Sequence, residues 1–379
     1  MEDSARAKQY HRTRRALGLA AFVVDVLVLI LLLAGGWNIE MRTMAERLTA
    51  RPSIALLIYL ALLGVLTKIV GLPLRYVRGF RLEQRYGLSN LKLSGWVKDQ
   101  IRGLLVGGAL AVLGLECLYA TMRFWPARWW IICATLFVGF LVLLANLVPA
   151  LIFPLFFKFK PLENRPLTER LLELSRRAGT RVRGVFEWKL SEKSKKANAA
   201  LVGLGNTRRI ILADTLLERF NDDEVEAVLA HELGHHVHRH MTFGLVLQAG
   251  ATYLGFFLAH LALARFSRTF GFRGLADFAN LPLLALVGTA LSLLLLPLVN
   301  AFSRRMERQA DAYALRSIRD RSAFISSMEK LAELNLAETH PPAWIEFIFH
   351  SHPSLEKRVA FAREFSEEAR LDSAMAQGS

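Results

Sequence analysis

Cysteine is nearly absent from this chain of 379 residues, which holds only Cys117 and Cys133. Both lie inside apolar runs, so the sequence has no disulfide framework and offers no Cys-rich zinc site. We expect both to be packing residues, although a bridge between the ends of two adjacent spans is left open. Internal repeats and low-complexity tracts are also absent, which argues against a repeat architecture.

Acidic residues are scarce as well. The chain has 33 Asp and Glu against 48 Lys and Arg, a formal net charge of +15, and yet 53% of it is hydrophobic. A basic balance can indicate nucleic acid, but here the Lys and Arg residues fall in particular loops between long apolar runs. That distribution is typical of a polytopic membrane protein, so we expect a lipid bilayer as partner and no nucleic acid.

Six segments are long and apolar enough to cross a bilayer, which takes about 20 residues. Basic residues cluster before the first span and after the second, and the positive-inside rule places both clusters in the cytoplasm. The first span lacks a convincing cleavage site, so we interpret it as a retained anchor. The predicted spans are 16–37, 53–72, 101–120, 129–153, 243–266 and 281–302.

The spans divide the chain into four parts. An N-terminal membrane region with four spans, 1–157, is followed by a polar cytoplasmic segment, 158–242. Two further spans, 243–302, lead to a C-terminal segment, 303–379. Within the polar segment, leucine spacing predicts a helix at 166–178, and β-rich runs predict strands at 183–190, 197–204 and 208–213.

The stretch LAHELGHHVHRHM, 229–241, carries five histidines and one glutamate. His231 and His235 are four apart on a helix that Asn221 should cap, so both imidazoles can reach one ion at about 2.0–2.1 Å. Glu232 between them completes an HExxH motif, in which a metal lowers the pKa of bound water and the glutamate accepts its proton. Gly234 permits close approach of another element.

The remaining histidines of this stretch fit no ligand pattern. His236 and His240 are also four apart but have no glutamate between them, and we interpret them as a solvated basic helix end. The longer signature HExxHxxGxxH fails, because positions 238 and 241 hold His and Met. The third ligand must therefore come from elsewhere in the chain.

A candidate lies in SRRMERQADAYA, after the sixth predicted span, where Glu307 and Asp311 are four apart. Two histidines, one glutamate and an open position form a recognised catalytic zinc set. Asp311 could accept the free N–H of a ligand histidine and fix its tautomer. The alternative is a charged helix face, in which Glu307 pairs with Arg304 or Arg308.

Together these motifs resemble those of the type I CAAX prenyl endopeptidases, which are integral-membrane zinc metalloproteases of the gluzincin type. The resemblance covers nearly the whole chain after the first span. Its parts are RLEQRYGLSNLKLSGWVKD, PLFFKFKPLEN, ANAALVGLG, AHELGHH, NAFSRRMERQADAYA and FHSHPSLEKRVAF, in that order.

The resemblance implies a mainly α membrane protein of about six transmembrane helices that enclose a chamber, with a small α+β zinc-metalloprotease domain at the cytoplasmic side. It implies a membrane-embedded metalloendopeptidase with one Zn²⁺ per chain. The implied site consists of the ligands His231, His235 and Glu307, the general base Glu232, the ligand-orienting Asp311, the oxyanion stabiliser His352, the ion-pairing Arg358, and the substrate strand Asn198, Ala199 and Ala200.

The chain has one predicted span fewer than the seven of eukaryotic members and a shorter C-terminal region. We therefore expect a compact bacterial member in the inner membrane, with both termini and the zinc site in the cytoplasm. We expect its substrates to be peptides or membrane proteins, and whether these are prenylated is left open.

Three other functions are weighed against this one. A heat-shock-type quality-control protease shares HExxH and the later glutamate but lacks the RYGLSN segment. A transporter would place its ligands near the middle of the membrane, and a catalytically inactive scaffold would not need Glu232. Asp25 and Glu116, both inside predicted spans, either face the chamber or pair with Lys68 or a backbone group.

Overall fold

The computed structural model describes residues 2–203 and 208–365, and long apolar helices make up most of it. The helices are α1 (Glu2–Ala34), α2 (Trp37–Leu48), α3 (Pro52–Tyr76), α4 (Leu82–Arg85), α5 (Leu93–Phe124), α6 (Trp129–Leu147), α7 (Phe153–Phe156), α8 (Arg165–Arg177), α9 (Asp214–Leu217), α10 (Asp222–Val237), α11 (His240–Phe266), α12 (Leu281–Ser317), α13 (Arg321–Leu334) and α14 (Ala343–Phe349). The strands are β1 (Phe159–Pro161), β2 (Val185–Trp188), β3 (Ala199–Val202) and β4 (Arg209–Ala213).

Five of these helices are long and apolar enough to cross a membrane: α1, α3, α5, α11 and α12. The remaining predicted span, 129–153, corresponds to α6, whose apolar stretch Trp129–Ala145 is shorter than the others. Between α6, α11 and α12 lies a cavity of about 630 Å³ with a mainly apolar lining. The predicted class, a mainly helical membrane protein with a small α+β domain, is confirmed.

Helix α12 extends well beyond its predicted span, 281–302. Its 37 residues correspond to a length of roughly 55 Å, whereas a bilayer core is about 30 Å thick. The last four turns therefore project from the membrane-spanning part, and they carry Glu307 and Asp311 into the polar domain.

At the end of the bundle remote from that domain, buried polar contacts fix the loops. Arg42 of α2 pairs with Asp277, and Asn38 donates to the Ala279 carbonyl at 2.8 Å. Tyr119 of α5 donates to Asn280 Oδ1 at 2.7 Å. These contacts tie α2 and α5 to the turn before α12, which closes this end of the bundle.

The polar domain is built on a four-stranded sheet in the order β1-β2-β4-β3. The β2–β4 pair is parallel and the two outer pairs are antiparallel, so β3 forms one edge of the sheet. Leucines of α8, the apolar side of α10 and Phe324 of α13 share one core with β4. This core holds α10, the helix of the HExxH motif, between the sheet and α12.

Local signals in this domain predict its elements well. The predicted helix 166–178 is α8, and Gly179 ends it with φ +65°, a conformation that suits glycine. The capping box at Asn221 is present at the start of α10, with Glu224 as its second member. The three predicted strands are present but shorter, and Leu204, the last residue of the predicted middle strand, lies outside the described residues. β1 was not predicted.

The structure partly answers the questions that the sequence left open about the two cysteines and about the acidic residues inside the spans. Cys117 and Cys133 are free thiols, so they are not bridged. Within residues 2–203 and 208–365, no ion pair joins Asp25 or Glu116 to Lys68, and Oε1 of Glu116 is buried without a hydrogen bond.

Candidate active site

Helices α10 and α12 bring together His231, His235 and Glu307, whose ligand atoms all lie within 4.8 Å of one another. Nε2 of His231 lies 3.2 Å from Nε2 of His235, and each of these nitrogens lies 3.3 Å from a Glu307 oxygen. Two ligands at about 2.0–2.1 Å from a tetrahedral zinc ion are about 3.3 Å apart. The two nitrogens and the Glu307 carboxylate, which meets each nitrogen with a different oxygen, are thus close to the spacing that zinc requires.

Glu307 provides a second indication that the site fits a metal. It is only 3% exposed, and its buried Oε2 atom accepts no hydrogen bond, although His352 Nδ1 lies 2.8 Å and His231 Nε2 3.3 Å from it. A buried carboxylate oxygen without a partner is costly, whereas a bound cation satisfies it. The alternative pairing of Glu307 with Arg304 is wrong, since Arg304 donates to the carbonyls of Glu346, Phe347 and His350.

His231 is oriented from behind by Asp311 and Arg358. Nδ1 of His231 lies 2.8 Å from Asp311 Oδ1, which fixes the proton on Nδ1 and leaves Nε2 free for a metal. Arg358 holds the Asp311 carboxylate with two hydrogen bonds, of 2.9 and 2.6 Å. Burial alone would lower the pKa of Arg358, but Asp311 raises it above its ordinary value, so the guanidinium stays charged.

His235 is oriented by His240, which the sequence pattern did not place in the site. Nδ1 of His240 lies 3.0 Å from His235 Nδ1, and Nε2 of His240 lies 2.9 Å from Gln309 Oε1. The amide oxygen only accepts, so it places the His240 proton on Nε2 and leaves Nδ1 to accept from His235. His235 then keeps its own Nε2 free for the metal.

The interpretation of His240 as part of a solvated helix end is therefore wrong, since His240 is only 5% exposed. The error came from assuming one continuous helix. α10 ends at Val237, and Arg239 adopts φ +56°, which turns the chain so that His240 begins α11 beside His235. A non-glycine residue in this conformation is strained, and no sequence pattern of helical spacing could have shown it.

The other predicted site residues surround this centre. Burial raises the pKa of Glu232 above its ordinary value, against the opposing effect of His231 and His235. Burial would lower the pKa of His231, but the neighbouring carboxylates of Asp311 and Glu307 outweigh burial and raise it to about 9. The side chain of His352 is 61% exposed, so with Nδ1 directed at Glu307 its Nε2 remains available on the open side.

The predicted substrate strand lies at the edge of the sheet and packs against α10. Ala213 N–H donates to the Asn198 carbonyl at 2.9 Å, and Ala199 lies opposite Leu212. Because pairing alternates along an antiparallel ladder, the N–H and C=O groups of Ala199 and Leu201 point away from β4. Within the described residues, these groups form the free edge of the sheet.

Comparison with known proteins agrees with the geometry. The protein is a zinc metalloendopeptidase that is integral to a membrane and acts on protein or peptide substrates there. Residues 161–366 match the family described as peptidase family M48, and residues 1–158 match the CAAX prenyl protease N-terminal region with five membrane helices. The chain belongs to peptidase family M48. The N-terminal match does not favour the heat-shock-type alternative, and the transporter interpretation is set aside.

Similar proteins match over most of their length. YhfN, an uncharacterized metalloprotease of Bacillus subtilis, is 29% identical over 96% of this chain and 86% of its own. CAAX prenyl protease 1 of Saccharomyces cerevisiae is 31% identical over 83% of this chain and 73% of its own. The crystal structure of S. mikatae Ste24p superposes with a TM-score of 0.87 at 25% identity, covering 95% of this chain and 89% of that one.

Proposed function

We propose that His231, His235 and Glu307 bind one zinc ion and that Glu232 is the general base of peptide hydrolysis. The observation that carries this assignment is the triangle formed by His231 Nε2, His235 Nε2 and the Glu307 carboxylate, in which the two nitrogens are 3.2 Å apart and each lies 3.3 Å from a different Glu307 oxygen. Asp311 and His240 hold the two histidines in the tautomers that leave Nε2 unprotonated. The open side of the triangle is left for water and substrate.

When bound, zinc polarises the peptide carbonyl and lowers the pKa of a coordinated water. Glu232 would accept the proton of the attacking water on a carboxylate oxygen and pass it to the nitrogen of the leaving amine. A base works best when its pKa lies near the working pH, and the burial of Glu232 shifts its pKa in that direction. His352 stabilises the developing oxyanion, while Arg358 keeps Asp311 in place.

The substrate extends along β3, whose residues Ala199 and Leu201 offer main-chain donors and acceptors next to α10. Addition of a strand to a free edge accepts many sequences, because the pairing uses only main-chain atoms. Asn198 and Ala200 hold the strand to β4 on the other side. The substrate class is membrane-associated peptides or proteins that carry a prenyl group, as the name of the Saccharomyces cerevisiae relative suggests.

The site faces the cytoplasm, and the membrane is the inner membrane of a bacterium. Support comes from the basic clusters at the start of α1 and after α3, both of which lie at the end of the bundle that carries the polar domain. Lys and Arg are retained on the cytoplasmic side of a membrane. The similarity to a Bacillus subtilis protein agrees with a bacterial source.

The test uses the full-length protein, purified in detergent with zinc, and its Glu232→Gln variant. We expect both to contain one zinc per chain and only the wild type to cleave a CAAX peptide, faster when the peptide is farnesylated. Equal cleavage of both peptides would refute the proposal that the substrates are prenylated, but not the proposal that the protein is a protease. Zinc binding with no difference between wild type and variant would refute the role of Glu232.

A further inference from the structure

Asn335 makes an unusual contact with the chain that leads into β3. Its Oδ1 atom accepts from the N–H of Ala197 at 3.0 Å, and its Nδ2 atom donates to the Ala197 carbonyl at 3.2 Å. One side-chain amide therefore satisfies both main-chain groups of Ala197, as a neighbouring strand would. Ala197 is 4% exposed, so these groups have no access to water.

The position of Ala197 along the strand shows which edge of the sheet this contact occupies. Ala197, Ala199 and Leu201 are spaced by two, so their main-chain groups point to the same side of the strand. The hydrogen bond from Ala213 to Asn198 shows that the regular pairing with β4 already begins at Asn198. Asn335 thus occupies the next pairing position on the same free edge that Ala199 and Leu201 offer to a substrate.

The backbone around Asn335 is arranged to hold it there. Asn335 ends α13, and Leu336 and Ala337 donate to the carbonyls of Glu333 and Ala332, which is a Schellman motif. The left-handed residue of this motif is usually glycine, but here it is Leu336 with φ +51°. A leucine in this conformation is strained, and such strain persists only where surrounding contacts impose it.

Those contacts come from the membrane-proximal segments. The Leu336 side chain is buried with Ala7 and Tyr10 of α1 and with Tyr86 and Leu88 of the RYGLSN segment. His11 Nε2 lies 2.9 Å from the Leu336 carbonyl, and its tautomer with the proton on Nε2 donates to that oxygen.

The RYGLSN segment also holds the chain before Ala197. Ser89 pairs with Ser194 in an isolated antiparallel bridge, and Lys195 N–H donates to the Leu88 carbonyl at 3.1 Å. Lys196 pairs at 2.8 Å with Glu83 of α4, the short helix that leads into this segment. Both sides of the Asn335–Ala197 contact are therefore fixed by the same segment, which explains a motif that the catalytic centre does not use.

We propose that Asn335 occupies the last pairing position on the free edge of β3, at Ala197. It thus acts as an end stop, which limits main-chain pairing of a bound peptide to Ala199 and Leu201. It is a positioning and length-determining residue rather than a catalytic one. The proposal rests on the proposed function, since it takes the free edge of β3 as the place where a substrate binds.

The test uses fluorogenic peptides in which the cleaved bond is kept and alanines are added one at a time at either end. For the wild type, we expect KM to fall with length and then to level off at the end that meets Asn335. In Asn335→Ala, Ala197 becomes available, and two further residues at that end should lower KM by roughly threefold or more, with little change in kcat. Zinc content should not change.

Two variants serve as controls. Asn335→Asp keeps the size of the side chain and the acceptor for Ala197, so KM should level off at the wild-type length. Asn90→Ala removes a comparable hydrogen bond, to the Ser191 carbonyl at 2.9 Å, and should also keep the wild-type limit. If Asn335→Ala does not fold, Asn335→Ser, which is too short to bond both groups of Ala197, replaces it.

The possible results distinguish the proposed substrate strand from the proposed role of Asn335. A wild-type KM that does not depend on length at either end would overturn the substrate strand itself. A wild-type limit that stays at the same length in Asn335→Ala, or a KM that rises equally for all lengths, would overturn the end stop and leave the substrate strand standing.

Discussion

Gly234 of α10 packs directly on Ala310 of α12. A Cβ atom at Gly234 would lie 2.8 Å from the Ala310 Cα atom and 3.0 Å from its carbonyl oxygen. Real Cβ atoms essentially never approach backbone this closely, so α10 and α12 can be this near only with glycine here. The contact sits between His231 and His235 on one helix and next to Glu307 and Asp311 on the other, so it sets the width of the metal site.

Gly234→Ala should therefore abolish zinc binding at micromolar zinc and with it peptide cleavage. The added methyl group meets backbone, which cannot rotate away, so the helices must separate and the ligand triangle opens. Gly244→Ala is the matched control, because a Cβ at Gly244 meets nothing within 4 Å. Zinc content after dialysis decides the question, and a Gly234→Ala protein that retains one zinc per chain would contradict this account of the packing.

Gln309→Leu should weaken zinc binding about 10- to 100-fold, the usual effect of losing a residue that orients a ligand histidine. Without the amide acceptor, His240 can place its proton on Nδ1, and it then no longer accepts from His235. His236→Ala, at a half-buried histidine of the same segment, should leave zinc affinity unchanged. Competition with a chelator measures both affinities, and an unchanged value for Gln309→Leu would show that His240 needs no partner.

Arg358→Ala should destabilise the fold by about 3 kcal/mol, because it leaves the Asp311 carboxylate, 1% exposed, without its counter-ion. Arg358→Lys should recover part of this loss, since it restores the charge but not the paired geometry. Arg363→Ala, at an exposed arginine on the same helical stretch 355–365, should cost little. The measurement is thermal unfolding in one detergent at one scan rate. Equal stability of Arg358→Ala and wild type would show that Asp311 does not depend on Arg358.

Much of the centre could be predicted because its residues follow local rules. The spacing of His231 and His235 on a capped helix, and that of Glu307 and Asp311 on another, are properties of a single helix each. The meeting of the two helices came only from the family resemblance. Spacing within one helix does not show which other helix it contacts.

The residues that were missed depend on contacts across the chain or on unusual backbone. His240 reaches His235 only because Arg239 adopts a left-handed conformation, and Asn335 reaches Ala197 only because Leu336 does the same. Neither position has glycine, which is the residue that would have signalled such a turn. Leu336 is itself buried in this conformation and His240 is buried next to Arg239, and such burial is a property of the complete fold.

Acid should destabilise the protein in part through Glu224, the second member of the capping box of α10. This carboxylate is 2% exposed and accepts from Asn221 N–H at 2.9 Å, from Lys330 Nζ at 2.7 Å and from Ser326. Burial tends to raise its pKa, but the hydrogen bonds from Lys330 and Ser326 outweigh burial, so its folded pKa lies below the ordinary value of 4.5. Its stabilising effect is therefore complete above the unfolded pKa and is lost as pH falls through the folded one.

Glu224→Gln should accordingly lower the melting temperature at neutral pH, by an amount that corresponds to about 1–2 kcal/mol. The difference from the wild type should shrink as pH is lowered from about 5 to about 3, because the wild-type carboxylate becomes protonated and resembles the amide. Glu218→Gln, at an exposed position just before α10, should show no such dependence. A Glu224→Gln difference that stays constant over this range would mean that Glu224 stabilises α10 by packing alone and not by its charge.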